Sequence, residues 1–96
     1  MTTVIAVLTI APGKEEEFAA KFAERGQAAI TAAAGNRSAA LARGVEDPST
    51  YLLVSKWDSV DAHKAAMDDP TYMEWVVFAR GYHAAPPKVR HYDSAD

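Results

Sequence analysis

The sequence predicts an α+β protein of the ferredoxin-like class, with a four-stranded antiparallel sheet and helices on one face. Three observations lead to this fold. Segments with strand-like and helix-like periods follow one another in the order β-α-β-β-α-β, which is the order of the split β-α-β motif. Gly, Pro and Asp residues separate these segments. The length of 96 residues leaves room for a single domain, 1–96.

The chain begins with a strand over residues 3–11 and continues with a long helix over 14–33. The strand is apolar on both alternating sets of side chains, which is typical of a strand covered on two faces. Gly26 should cost the helix about 1 kcal/mol relative to alanine, and Gly35 with Asn36 should end it. An apolar stripe marks the helix face that should be buried: Phe18, Phe22, Ala29, Ile30 and Ala33.

A hairpin follows the long helix. Residues 37–45 predict a weaker strand and 50–57 a strong one, and the turn between them is rich in acidic residues and proline. Residues 88–93 predict the last strand, and 94–96 a loose tail.

Two shorter helices lie between the hairpin and the last strand. The first should cover 60–68 and begin after Ser59. The second should cover 71–83, because Asp69 and Pro70 are typical of a helix start. It is apolar around most of its circumference, so we expect other surfaces to contact it on several sides.

One face of the predicted sheet has no helix to cover it. Because the first strand is apolar on both faces, that open face should be buried against the same face of a second copy. We therefore expect a two-fold homodimer.

Composition restricts the possible functions. The chain has no cysteine, which excludes disulfides, a thiol nucleophile and every Cys-ligated metal site. Its 10 basic and 13 acidic residues are dispersed, so a nucleic-acid or anionic-membrane partner is not expected. No long apolar stretch or basic leader is evident, so we expect a cytoplasmic protein with a small-molecule partner.

Several short motifs follow one another in a characteristic order. They are Pro12-Gly13-Lys14 after the first strand, Lys56-Trp57-Asp58-Ser59 with Ala62-His63, Asp69-Pro70 with Tyr72 and Trp75, and Pro86-Pro87-Lys88-Val89. Over nearly the whole chain they resemble the antibiotic biosynthesis monooxygenase family of the dimeric α+β barrel superfamily. The resemblance implies a homodimer with its sheets face to face and a pocket in each subunit. It also implies oxidation of anthrones or quinols by O2 with no metal or flavin cofactor.

Haem-degrading members of this family have a similar layout. They rely on an Asn in the first strand, a Trp on the helix after the strand-end Trp, and a haem-ligating His on the next helix. The corresponding positions here are Ala6, Ala66 and Val76. Haem degradation is therefore not expected.

Anthrone-oxidising members of the family have a strand-end Trp in their pocket, and Trp57 matches it. Where those members carry a His on the second strand, an Asn on the third and a Tyr on the following helix, this chain has Arg43, Leu53 and His63. The resemblance thus places these four residues at the pocket.

His63 is the candidate base. An imidazole titrates near neutrality, so it can remove the acidic proton of an anthrone or hydroquinol and leave an electron-rich anion that reacts with O2. The alternative is a partly exposed His63 with no chemical role.

Aromatic side chains provide a candidate binding surface for a flat substrate, and arginines provide candidate anion stabilisers. Arg43 and Arg80 can stabilise an oxyanion if they point inward, whereas exposure is the usual position of an isolated arginine. For the aromatic residues, the alternative is plain core packing. These candidates are Trp57, Tyr72, Trp75, Phe78 and Tyr82.

The histidines give no metal motif. His63, His83 and His91 do not have the i, i+4 spacing of a metal-binding pair, and no acidic residue completes a recognisable motif with them. His91 can instead lie at the dimer interface. Two alternatives to a monooxygenase remain open: a cyclase or isomerase of the same superfamily, and a non-catalytic dimeric binding module.

Overall fold

The first strand, with its two apolar sets of side chains, lies in the interior of the sheet. The computed structural model describes residues 1–95, and its four antiparallel strands have the order β2-β3-β1-β4. They are β1 (Thr2–Thr9), β2 (Asn36–Arg43), β3 (Thr50–Trp57) and β4 (Lys88–Asp93). This topology confirms the ferredoxin-like α+β fold. Asp96, the end of the expected tail, lies outside the described residues.

Strand pairing determines which side chains share a face. Val4 of β1 lies opposite Ser55 of β3 and His91 of β4, so these three residues lie on the same face of the sheet. Helices cover this face, and β1 buries on it Val4, Ala6 and Leu8. The opposite face is open, and it presents Thr3, Ile5, Val7, Leu52, Val54, Arg90 and Tyr92.

The long helix is interrupted by a wider turn that the sequence pattern does not predict. It consists of α1 (Glu15–Lys21), a π-helical turn (Phe22–Gly26) and α2 (Gln27–Thr31). From Phe18 onward its buried residues recur every four positions: Phe18, Phe22, Gly26 and Ile30. In a regular α-helix such a spacing drifts by about 40° per repeat. The π turn takes more residues per turn and so offsets this drift.

Gly26 packs directly against the indole of Trp75. A Cβ atom at this position would lie 2.6 Å from Cζ2 of Trp75, so no larger residue fits without displacing the indole. Gly26 therefore lowers the helix propensity at this position, but it also allows the close contact between the two helices. Gly35 has a φ of +85° where the chain turns from α2 to β2, as the expected helix end requires.

Both shorter helices have side-chain N-caps. The Ser59 hydroxyl accepts a hydrogen bond from the Ala62 N–H at the start of α3 (Val60–Ala65), which continues as a 3₁₀ turn (Ala66–Asp68). The Asp69 carboxylate accepts hydrogen bonds from two N–H groups of α4 (Pro70–Arg80). These caps agree with the helix starts that the sequence predicts.

The end of α4 corrects the predicted boundary at residue 83. After Arg80 the chain turns back along β1, where Ala11 N–H donates to the Tyr82 carbonyl and His83 forms a β-bridge with Ile10. Pairing with the sheet takes precedence over the apolar pattern that extended the predicted helix. Within residues 1–95, no helix has both the length and the apolar character needed to cross a membrane.

Candidate active site

A cavity of about 170 Å³ lies between the helix-covered face of the sheet and the helices. Apolar side chains of β1 form one side of it, and helical residues of the first and second halves of the chain form the other. It is lined by Val4, Ala6, Leu8, Phe18, Phe22, Leu53, Ser55, His63, Met67, Tyr72, Trp75, Val76, Ala79, His83, Pro87 and Val89. A concave, mostly apolar site with a few polar groups is typical of small-molecule binding.

His63 makes polar contacts through both ring nitrogens. Its Nδ1 lies 2.9 Å from Nε2 of His91, and its Nε2 lies 3.4 Å from the hydroxyl of Tyr72. The fold forms this row because α3 places His63 over the sheet, β4 places His91 beside Val4, and the first turn of α4 places Tyr72. The three side chains form one polar group at one end of the cavity.

The surroundings of His63 and Tyr72 favour the neutral form of each of these two side chains. Burial lowers the pKa of His63 below its ordinary value, and the neighbouring His91 lowers it further. Burial raises the pKa of the Tyr72 hydroxyl. At neutral pH, His63 is therefore an unprotonated imidazole that can accept a proton, and Tyr72 is a phenol that can donate a hydrogen bond.

Trp57 supports His63 without lining the cavity. Its ring centroid lies 5.1 Å from that of His63 and 5.8 Å from that of Tyr72. The indole is fully buried, and its Nε1–H donates to the Ser55 hydroxyl at 2.9 Å. These contacts restrict the orientation of both neighbouring rings.

The structure brings some of the expected site residues together and separates others. His63, Tyr72, Trp75 and Leu53 all line the cavity, and Trp57 packs behind the first two.

Arg43, Arg80 and Phe78 do not line this cavity. Arg43 is exposed near the far end of the hairpin, where its Nη1 lies 3.0 Å from a carboxylate oxygen of Glu16 and its Nε donates to the Pro48 carbonyl. Arg80 is exposed at the end of α4. The ring of Phe78 lies under the guanidinium of Arg25, 4.2 Å from its Cζ.

Three polar residues of the site were not identified as site residues from the sequence. They are Ser55, His83 and His91. Side chains alternate between the two faces of a strand, so Ser55 shares a face with Trp57 in β3, and His91 shares one with Val89 in β4. Which of the two faces the helices cover is known only once the pairing of these strands with β1 is known. His91 consequently lies on the helix-covered face, whereas the sequence left a dimer-interface position open.

No group of three or more histidine or acidic side chains within residues 1–95 has an arrangement that could hold a metal ion. The polar row consists of two imidazoles and a phenol. Such a row can move a proton and orient a ligand oxygen.

Comparison with known proteins identifies relatives along the whole fold. The family model described as antibiotic biosynthesis monooxygenase matches residues 1–77. A putative antibiotic biosynthesis monooxygenase from Bordetella bronchiseptica has 30% sequence identity and a TM-score of 0.87, with 98% of this chain and 96% of that chain covered. No curated protein matches the sequence.

More distant solved structures share the fold. A mutant of SnoaB, a cofactor-independent oxygenase from Streptomyces nogalater, has 19% identity and a TM-score of 0.81, with 99% of this chain and 93% of that chain covered. A putative antibiotic biosynthesis monooxygenase from Nitrosomonas europaea has 18% identity and a TM-score of 0.84, with both chains covered completely. The family match over most of the sequence, together with the 30% identity to the Bordetella bronchiseptica protein, shows that the chain belongs to the antibiotic biosynthesis monooxygenase family.

Proposed function

We propose that this protein is a cofactor-independent monooxygenase that acts on an aromatic polyketide, such as an anthrone, or on a quinol-type molecule, with His63 as the base. The observation that carries the proposal is the position of His63. Its imidazole is held neutral at the end of an apolar cavity, between Tyr72 and His91. Membership of the family and the fold shared with a cofactor-independent oxygenase support this type of reaction.

The reaction requires little more than proton transfer and orientation. Nε2 of His63 accepts a proton from the activated CH2 or phenolic O–H of the substrate, and the resulting anion gives one electron to O2. The substrate radical and superoxide combine to a peroxide, which takes up the proton from His63. For an anthrone, loss of water then gives the quinone, so that CH2 and O2 become C=O and H2O. His63 returns to its neutral form.

Other residues of the site position the reacting groups. His91 orients the imidazole of His63 through its Nδ1 contact, and Trp57 restricts the same ring by packing. The Tyr72 phenol donates a hydrogen bond to the developing oxyanion, while Trp75 and Leu53 contact the apolar body of the substrate. In this arrangement Arg43, Arg80 and Phe78, all outside the cavity, have no role.

We also propose that the protein works as a homodimer. The open face of the sheet presents Val7 and Leu52 with 40% and 37% of their surface exposed, and Tyr92 with 58%. Two-fold pairing of this face with its copy buries these apolar side chains in both subunits. Each cavity lies on the other face of its own sheet, so the proposed interface leaves it accessible.

Oxygen uptake tests the proposed reaction. Purified protein is treated with chelator and incubated with anthrones and hydroquinones in an oxygen electrode, beside protein-free controls for autoxidation. We expect protein-dependent uptake, reduced at least about tenfold in His63→Ala, as for the loss of a general base. Lys64→Ala, at the next and exposed position of the same helix, is the matched control and should retain the rate.

The possible outcomes separate the alternative functions. Uptake that persists in His63→Ala removes His63 from the mechanism. Conversion of a substrate without O2 consumption contradicts the oxygenase and favours a cyclase or isomerase. Binding without any conversion favours a non-catalytic binding module.

A further inference from the structure

The cavity has polar groups at two separate ends. At one end, His91 lies opposite Val4 of β1 and contacts His63. At the other, His83 forms its β-bridge opposite Ile10. Val4 and Ile10 lie six positions apart in the chain, so the two polar groups lie at different points along the sheet. Between them β1 contributes only the apolar side chains of Ala6 and Leu8 to the cavity.

One ring nitrogen of His83 has no hydrogen-bond partner among the described residues. The residue lines the cavity, and this nitrogen, Nδ1, is buried. Buried polar atoms are nearly always paired, because an unpaired one costs about 1–3 kcal/mol. The backbone of His83 is fixed by the bridge to Ile10, whereas rotation about its χ2 angle is soft and can turn either nitrogen toward the cavity.

We infer that His83 is a second ligand-binding residue, and that the ligand is an aromatic molecule with an oxygen function at each end of an apolar body. One oxygen contacts the row of His63 and Tyr72, and the other pairs with the imidazole of His83. This inference rests on the proposed ligand cavity, but it concerns binding and does not depend on oxygen chemistry. Burial and the charge of Arg80 lower the pKa of His83, so the ring can donate with one nitrogen and accept with the other.

The volume of the cavity guides the choice of a probe. At about 170 Å³, it is close to the roughly 150 Å³ of an engineered apolar cavity that binds benzene. A probe with one or two fused rings therefore fits within this volume. Naphthols are suitable probes because they provide the same ring system with one or two hydroxyl groups.

The test compares 2,6-dihydroxynaphthalene with 2-naphthol, which lacks the distal hydroxyl. Binding of each is measured by anaerobic titration calorimetry to the wild type, to His83→Phe and to His83→Asn. We expect the wild type to bind the diol about two- to twelvefold more tightly, which is the fold-change that corresponds to one hydrogen bond of roughly 0.5–1.5 kcal/mol. His83→Phe should abolish this preference without weakening the binding of 2-naphthol by more than about twofold. His83→Asn, whose amide occupies the place of Nδ1, should retain part of the preference for the diol.

Each result bears on the inference. It is overturned if His83→Phe keeps the preference for the diol, if the variant weakens both compounds equally, or if the wild type binds neither. Because Nδ1 has no partner to lose, we expect His83→Phe to fold, and thermal unfolding checks this. Absence of oxygen uptake alongside an intact diol preference contradicts the proposed function and leaves the inference standing.

Discussion

Nδ1 of His63 and Nε2 of His91 lie 2.9 Å apart, so a helix and an outer strand of the sheet meet through two imidazoles. Only one of the two facing nitrogens can carry a proton in this contact, because two N–H groups would oppose each other. The pair therefore couples the tautomer of His63 to that of His91. When the proton of neutral His63 is on Nδ1, this N–H donates a hydrogen bond to Nε2 of His91. Nε2 of His63 is then unprotonated and can act as a base toward the cavity.

The influence of His91 on His63 can be measured directly. We expect His91→Gln to raise the pKa of His63, because the amide can keep a hydrogen bond but cannot carry the positive charge that opposes protonation of His63. The pKa should stay below its ordinary value, since burial is the larger cause of the lowering. Titration of the His63 C2 proton by NMR gives the value in both proteins. An unchanged or lower pKa in the variant contradicts this role.

Stability should depend on pH through the buried histidines. Burial lowers the folded-state pKa of both His63 and His83, so below the unfolded value of about 6.5 the unfolded chain binds protons that the folded chain does not. The free energy of unfolding should therefore fall as the pH drops from about 7.5 to about 5.5. Hydrogen bonds and Arg43 keep the pKa values of Glu15 and Glu16 low, which leaves these carboxylates ionised over that range.

Urea unfolding of the wild type and of His63→Asn, at about pH 7.5 and about pH 5.5, measures this change in the free energy of unfolding. The variant should lose part of the pH dependence, because asparagine does not titrate. An equal dependence in the two proteins would show that His63 does not contribute to it.

Much of the fold follows from local signals in the sequence. The two apolar sets of β1, the caps at Ser59 and Asp69, and the glycine at position 35 each predict their element correctly, because each signal acts within a few residues. The boundaries that differ depend on contacts between distant residues. Helix α4 ends early because Tyr82 and His83 pair with the residues just after β1. The π turn ends at Gly26, where the helix packs closely on the indole of Trp75.

The site is less predictable than the fold for the same reason. His63 and Tyr72 were recognisable because they follow motifs in the chain. The position of His91 depends on strand register, since a shift of one residue would turn it to the open face. The resemblance to the family places Arg43 in the pocket, but the carboxylate of Glu16 in α1 and the carbonyl of Pro48 in the hairpin turn hold its side chain outside.

Gly26 provides a test of helix packing against helix propensity. Propensity alone predicts that Gly26→Ala stabilises the helix by about 1 kcal/mol. The new Cβ would lie 2.6 Å from Trp75, so we expect a net destabilisation of about 1–3 kcal/mol. The control is Gly81→Ala, where the nearest atom to a new Cβ is the Phe78 carbonyl oxygen at 3.5 Å. That variant should be neutral or slightly more stable, and chemical denaturation distinguishes the two.

The proposed dimer makes the open face of the sheet sensitive to charge. Leu52 lies in β3 on that face with 37% of its surface exposed, and its cross-strand neighbours Val7 and Ala42 carry no charge. A carboxylate at this position would be buried without a partner in a two-fold interface. We expect the wild type to sediment at twice its chain mass of 10.4 kDa and Leu52→Glu to sediment at the chain mass. Val77→Glu, on the outer side of α4 with 54% exposure, should remain dimeric, because it adds the same charge away from the sheet. A wild type that sediments as a monomer, or a Leu52→Glu variant that stays dimeric, contradicts the proposed interface, since a buried unpaired carboxylate costs more than a surface contact can offset.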